Sequence, residues 1–149
     1  MYAAIHFNDI IDLDGPVKQD SFSAFGLQEL KFERVSLQFG ARVENNRYNP
    51  VNTNLRDRDF IGFSGAAGAR FDLWKGGAFV ANYSHGYRAP ALEELYNFGS
   101  HDGTLTFEVG DPNLRPEISN GIDLSLRQQN KRIRAEANFF YYHFHDFVF

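Results

Sequence analysis

Cysteine is absent from the 149 residues. That removes a disulfide framework, a thiolate nucleophile and a cysteine-based zinc knuckle, and it leaves the redox compartment open. Methionine and tryptophan occur once each. A soluble core this rich in Phe would draw freely on Leu, Ile and Met. A basic excess is also missing. Lys and Arg number 15 against 19 Asp and Glu, for a net charge of -4, so no nucleic-acid-binding surface is expected. No run approaches the roughly eighteen continuous apolar residues of a membrane helix. The longest uncharged stretches, "FIGFSGAAGA" and "GGAFVANYSHGY", contain Gly, Ser, Asn and His. The start, "MYAAIHFND", lacks a basic segment, and its apolar run breaks at His6 and Asn8. No signal peptide is read there, so an exported protein would need a beginning that this sequence lacks.

What is present is aromatic. Phe, Tyr and Trp make up 16% of the chain, yet mean hydropathy is only -0.42. Apolar residues alternating with polar ones produce that combination, which is the pattern of strands with one apolar and one polar face. "VSLQFGARVENN" is the clearest case: Val35, Leu37, Phe39, Ala41 and Val43 oppose Ser36, Gln38, Arg42 and Glu44. Similar alternation runs through "SFSAFGLQEL", "FSGAAGARFDLW", "AFVANYSHGYR", "ISNGIDLSLRQ" and the start of "IRAEANFFYYHFHDFVF". "YAAIHFN" is a weaker further strand. Short turns fall near 31–34, 74–77 and 129–132, and long polar loops near 9–20, 47–58 and 89–116.

Short and long connections thus alternate, as in an antiparallel outer-membrane barrel. The fold class expected is all-β: an antiparallel meander forming part of a transmembrane β-barrel, with Arg, Glu and Asp toward a polar lumen. A soluble β-sandwich or a lipocalin-like binding module shares the alternation and is the alternative. A passive porin or adhesin is a third class.

A longer signature adds to this. "YSHGYRAPALEELY" followed by "FEVGDPNLRPEISNGIDLSL" closely resembles paired motifs of TonB-dependent outer-membrane receptors, in which a strand ends in an Arg-Ala-Pro motif and the chain returns through a Gly-Asp-Pro-Asn-Leu type turn. "FGARVE" at 39–44 is a weaker match to a strand of that family. The resemblance implies a barrel of about twenty-two strands around a plug. This chain has room for about six or seven such strands, so residues 1–149 are expected to be a partial barrel domain without the plug or signal peptide. The implied setting is the outer membrane of a Gram-negative-type bacterium. The implied partners are its lipid bilayer, the TonB complex through a plug outside this sequence, and a transported small ligand. A metal ion, siderophore or haem is the kind of cargo expected; no bound cofactor is.

The 84–120 stretch then reads as a rim loop. Pro90 fixes φ and turns Ala89 away from helix, so the strand stops there. "ALEELY" suits one helical turn, Asp111 an Asx-type turn, and Arg88 can pair with Glu117 across the rim. Arg88, Glu94, Tyr96, Glu108 and Asp111 are the candidate ligand-loop residues, weighed against a purely architectural role. His101 and Asp102, between Gly99 and Gly103, are the candidate metal donors. His85, His143 and His145 share faces with Tyr and Phe and fit an interfacial aromatic girdle better than a metal site. An enzyme is not expected. Ser100, His101 and Asp102 are neighbours in sequence, whereas a triad needs side chains that converge in space.

Overall fold

The computed structural model describes residues 16–52, 54–101 and 106–148. Eight strands and one short helix follow in order: β1 (Val17–Lys31), β2 (Val35–Pro50), β3 (Arg58–Trp74), β4 (Gly77–Arg88), α1 (Leu92–Tyr96), β5 (Phe98–His101), β6 (Thr106–Val109), β7 (Glu117–Gln129) and β8 (Arg134–His145). Six strands form one sheet in the order β1-β2-β3-β4-β7-β8, and β5 and β6 form a separate two-stranded hairpin. Among the described residues, the meander is interrupted only by the 89–116 segment. The expected first strand within "YAAIHFN" lies outside the described residues.

The short turns fall where local chemistry places them. At Lys75–Gly77, Gly76 takes φ 81, a region that non-glycine residues enter at a cost. A Cβ there would also lie 2.2 Å from the Gln129 carbonyl oxygen, whose own N–H donates to the Gly76 carbonyl at 2.7 Å. The long loop expected at 47–58 is shorter than the sequence suggests. β2 continues to Pro50 and β3 starts at Arg58, because polar residues outside a bilayer do not end a strand.

The chain divides into two compact units. One comprises Met1–Ala24, Val43–Gly62 and Arg88–Glu117; the other comprises Phe25–Arg42, Phe63–Tyr87 and Ile118–Phe149. In the second unit, cross-strand register sorts the side chains. Phe71 lies opposite Phe79, Ala69 opposite Ala81 and Ala67 opposite Tyr83. Leu124 lies opposite Phe139 and Ile122 opposite Tyr141. The alternate positions are polar: Arg127 meets Glu136 at 3.0 Å, and Arg70 meets Asp72 at 2.7 Å.

One part of β8 departs from the simple alternation. Phe140, Tyr142 and Phe144 lie opposite Asp123, Gly121 and Ser119, so the face that carries Glu136 becomes aromatic toward the strand's end. The run "NFFYYHFHDF" is aromatic on both parities, and only the register tells its faces apart.

Among the described apolar side chains of this unit, Ala78 alone is buried. Phe39, Phe71, Ile122 and Phe139 are exposed. A β-sandwich would press two sheets together about 10 Å apart and bury these faces. A sheet with a continuous apolar face left open suits contact with lipid. Its strands of 12 to 17 residues exceed the roughly 9–11 needed to cross the hydrocarbon layer.

Candidate functional site

The first unit holds most of the well-buried apolar residues: Val17, Tyr48, Phe60, Leu95 and Tyr96. The 89–116 segment supplies the last two. Pro90 ends β4, and its carbonyl accepts a hydrogen bond from the Tyr48 hydroxyl at 3.0 Å. α1 follows, with Glu93 and Glu94 in its first turn, where acidic side chains suit the helix N-terminus. Glu94 accepts the Ala91 N–H at 2.8 Å, the half of a capping box that an alanine N-cap permits. Tyr48 and Phe60 pack with ring centroids 5.8 Å apart.

The return path is held with equal care. Asp111 Oδ1 accepts the Asn113 N–H at 2.8 Å, and the Asp111 carbonyl accepts the Leu114 N–H at 3.2 Å, which is the Asx-type turn expected from "GDPNL". The Gly110 N–H donates to the Asn97 carbonyl at 2.7 Å, and the Asp111 N–H to the Glu94 carbonyl at 2.9 Å. A Cβ on Gly110 would come within 2.6–2.8 Å of the backbone at Leu95, Tyr96 and Asn97. Only glycine lets the two sides of the loop close this tightly.

After that neck in the chain, β5 and β6 pair as a two-stranded hairpin. Phe98 lies opposite Val109, and Ser100 opposite Phe107. Phe98 and Phe107 meet edge to face at 5.3 Å, and both rings and Val109 are exposed.

The nominated residues divide accordingly. Arg88 donates to both oxygens of Glu94 at 3.1 and 3.0 Å and to Glu117 at 2.6 Å. Tyr96 is buried, and its hydroxyl donates to the Arg56 carbonyl at 2.8 Å. Burial pushes its phenol above the usual range, Asp57 adds to the rise and Arg58 opposes it. Glu108 accepts from Asn97 Nδ2 at 3.2 Å. His101 ends β5 with its Cα opposite Thr106; Asp102 lies outside the described residues.

Arg58 is a residue that sequence reasoning missed. Its guanidinium donates to the Pro112 carbonyl and, at 2.8 Å, to that of Leu114, and it lies 4.7 Å from the centroid of Phe60. In the sequence it sits in the polar run "NLRDRD", where nothing local distinguishes it.

The second unit contains His85, His143 and His145. His85 Nδ1 lies 2.9 Å from Asn120 Oδ1, which also accepts the Tyr83 hydroxyl at 2.8 Å. His85 stacks on Phe63 at 6.1 Å, and the rings of His143 and His145 are 4.4 Å apart. Their neighbours are aromatic and amide groups. Among the described residues, no three His, Cys, Asp or Glu side chains gather where they could hold a metal ion.

An antiparallel meander with an open apolar face, short turns and one elaborated loop defines a segment of a membrane β-barrel. Residues 4–149 match the family described as TonB dependent receptor-like, beta-barrel, and the chain belongs to that family. It is thus part of a receptor family, not of an enzyme family. It is 32% identical over 84 residues to "Heme/hemopexin utilization protein C" of Haemophilus influenzae, covering 47% of this chain and 12% of that protein. The protein of the same name from strain 86-028NP is 35% identical over 77 residues, covering 42% and 11%. Among solved structures, "Copper transporter OprC" shares the fold with a TM-score of 0.67 at 20% identity, over 83% of this chain and 21% of that one. The chain thus spans about an eighth of the length of the curated relatives it matches.

Proposed function

We propose that this chain is part of the barrel of an outer-membrane receptor that captures a scarce metal-containing ligand outside the cell and passes it inward. Energy would come from the TonB complex through a plug outside this sequence. Haem is the favoured cargo. The relatives similar to this chain above 30% identity carry haem and hemopexin in their names, whereas the likeness to a copper transporter is one of fold. The observation that carries this reading is the loop itself: the connection between β4 and β7 is a folded segment with its own two-stranded hairpin, and His101 ends the first strand of that hairpin.

In this reading His101 and Asp102 donate to the metal centre of the cargo, and Glu108 lies on the same hairpin. Arg88, Glu94, Tyr96 and Asp111 serve the ligand by shaping the loop that carries those donors. The test uses the complete receptor in an iron-starved host lacking other haem uptake. Growth on haemin and a shift of its Soret band on binding are expected, and His101→Ala reduces both with unaltered barrel assembly. Binding of cupric or zinc ion but not haemin would replace haem by a bare metal. No binding of any of the three would sink the metal-cargo reading.

A further inference from the structure

We propose that Arg58 and Arg88 are positioning residues of ligand capture: they clamp the base of the 89–116 segment from both sides, so that the 98–109 hairpin is held in one pose before a ligand arrives. The inference rests on the receptor reading above.

Arg88 uses one guanidinium to join three elements. It forks onto Glu94 of α1 and meets Glu117 at the start of β7, while itself ending β4. The Glu117 and Glu94 side chains are only 13% and 27% exposed, so solvent screens these pairs less than it screens ordinary surface pairs. Arg58 holds the returning part of the segment through the carbonyls of Pro112 and Leu114, with its guanidinium against the Phe60 ring. Both sites need several donors in a rigid plane, which a lysine ammonium does not provide.

Along the chain between Arg88 and the carbonyls that Arg58 holds lie the buried Pro90, Leu95 and Tyr96 and the closed neck at Asn97 and Gly110. Past the neck, the hairpin exposes Phe98, Phe107 and Val109. The segment thus has a buried base and an exposed arm. An arm with a loose root would have to be ordered at each encounter, and that entropy would be lost from binding. A root ordered in advance removes this cost and acts mainly on the rate of capture.

The experiment uses the complete receptor in outer-membrane vesicles, with haemin as the probe. Arg58→Lys, Arg88→Lys and the double variant are compared with the wild type by hydrogen exchange and by stopped-flow binding. Exchange of the Leu95, Asn97 and Asp111 amides should rise at least about tenfold in each single variant. Haemin association should slow about tenfold, dissociation should change less than about threefold, and heat-modifiable barrel mobility on gels should stay the same. The double variant should be little worse than the poorer single one, because both side chains hold one body. Unchanged exchange in both single variants overturns the proposal, as does raised exchange with unaltered haemin association. A wild type that binds no haemin overturns the cargo reading instead; the clamp is then judged on exchange alone, and unchanged protection overturns it.

Discussion

Gly110 and Tyr96 show how single atoms set the shape of the loop. The backbone that a Cβ on Gly110 would strike is that of Leu95 to Asn97, and backbone yields less readily than a flexible side chain. Gly110→Ala should therefore cost about 1–3 kcal/mol of local stability, as overpacking does. Faster amide exchange in residues 92–97 of the complete receptor checks this. Tyr96 makes a pH prediction. Its phenol is raised by burial, so the folded base prefers the protonated form more than an unfolded chain does. The stability of the base should be level below about pH 10 and fall as pH rises beyond that value. Tyr96→Phe should remove this alkaline loss while costing about 1 kcal/mol at neutral pH through the hydrogen bond to Arg56. An identical alkaline profile in the two proteins would show that another group is responsible.

At the scale of elements, turns and helix differ in what they depend on. The β3–β4 turn has a local determinant, the positive φ that Gly76 supplies, and a tertiary one, the Gln129 carbonyl of β7 that leaves no room for a larger residue. Gly76→Ala should destabilise this turn by at least about 1 kcal/mol, the cost of a left-handed conformation for an L-residue. Urea titration of the refolded receptor in lipid vesicles measures it. α1 has only five residues and would not persist alone, since helices shorter than about 12 residues are marginal in water. It exists because Leu95 and Tyr96 are buried and Glu94 is shared between Arg88 and the Ala91 N–H. Leu95→Ala should cost about 2–5 kcal/mol and release the whole base, read as protease cleavage within 89–116.

For the molecule as a whole, the two faces of the sheet carry different constraints. Phe139 shares its face with Leu124, while Asn138 lies opposite Ser125 on the face of Arg127 and Glu136. If the apolar face meets lipid, Phe139→Arg should cost about 2–4 kcal/mol near mid-bilayer, and Asn138→Arg much less. Folding titrations of both variants in lipid vesicles compare them directly; equal costs would mean that the apolar face is not the lipid face. Such a pair is informative because the positions are adjacent in the chain and differ only in facing.

The sequence by itself determined the strands, the short turns and the two faces wherever apolar and polar residues alternate cleanly, as in β2, β3 and β7. It also marked the Asx turn at Asp111 and the pairing of Arg88 with Glu117, both confirmed by short distances. These features rest on periodicity and on residues with strong local preferences. Tertiary structure alone decided the rest. Arg58 reaches Pro112 and Leu114 across more than fifty residues, and Tyr48 reaches Pro90 across 42. The aromatic run at the end of β8 received its facing from pairing with β7. The segment expected as a polar loop contains a hairpin with its own aromatic contact. The physical reason is common to all of these. Which side chains meet across a sheet or over its rim depends on which strands become neighbours and in what register, and a one-residue slip would change every partner.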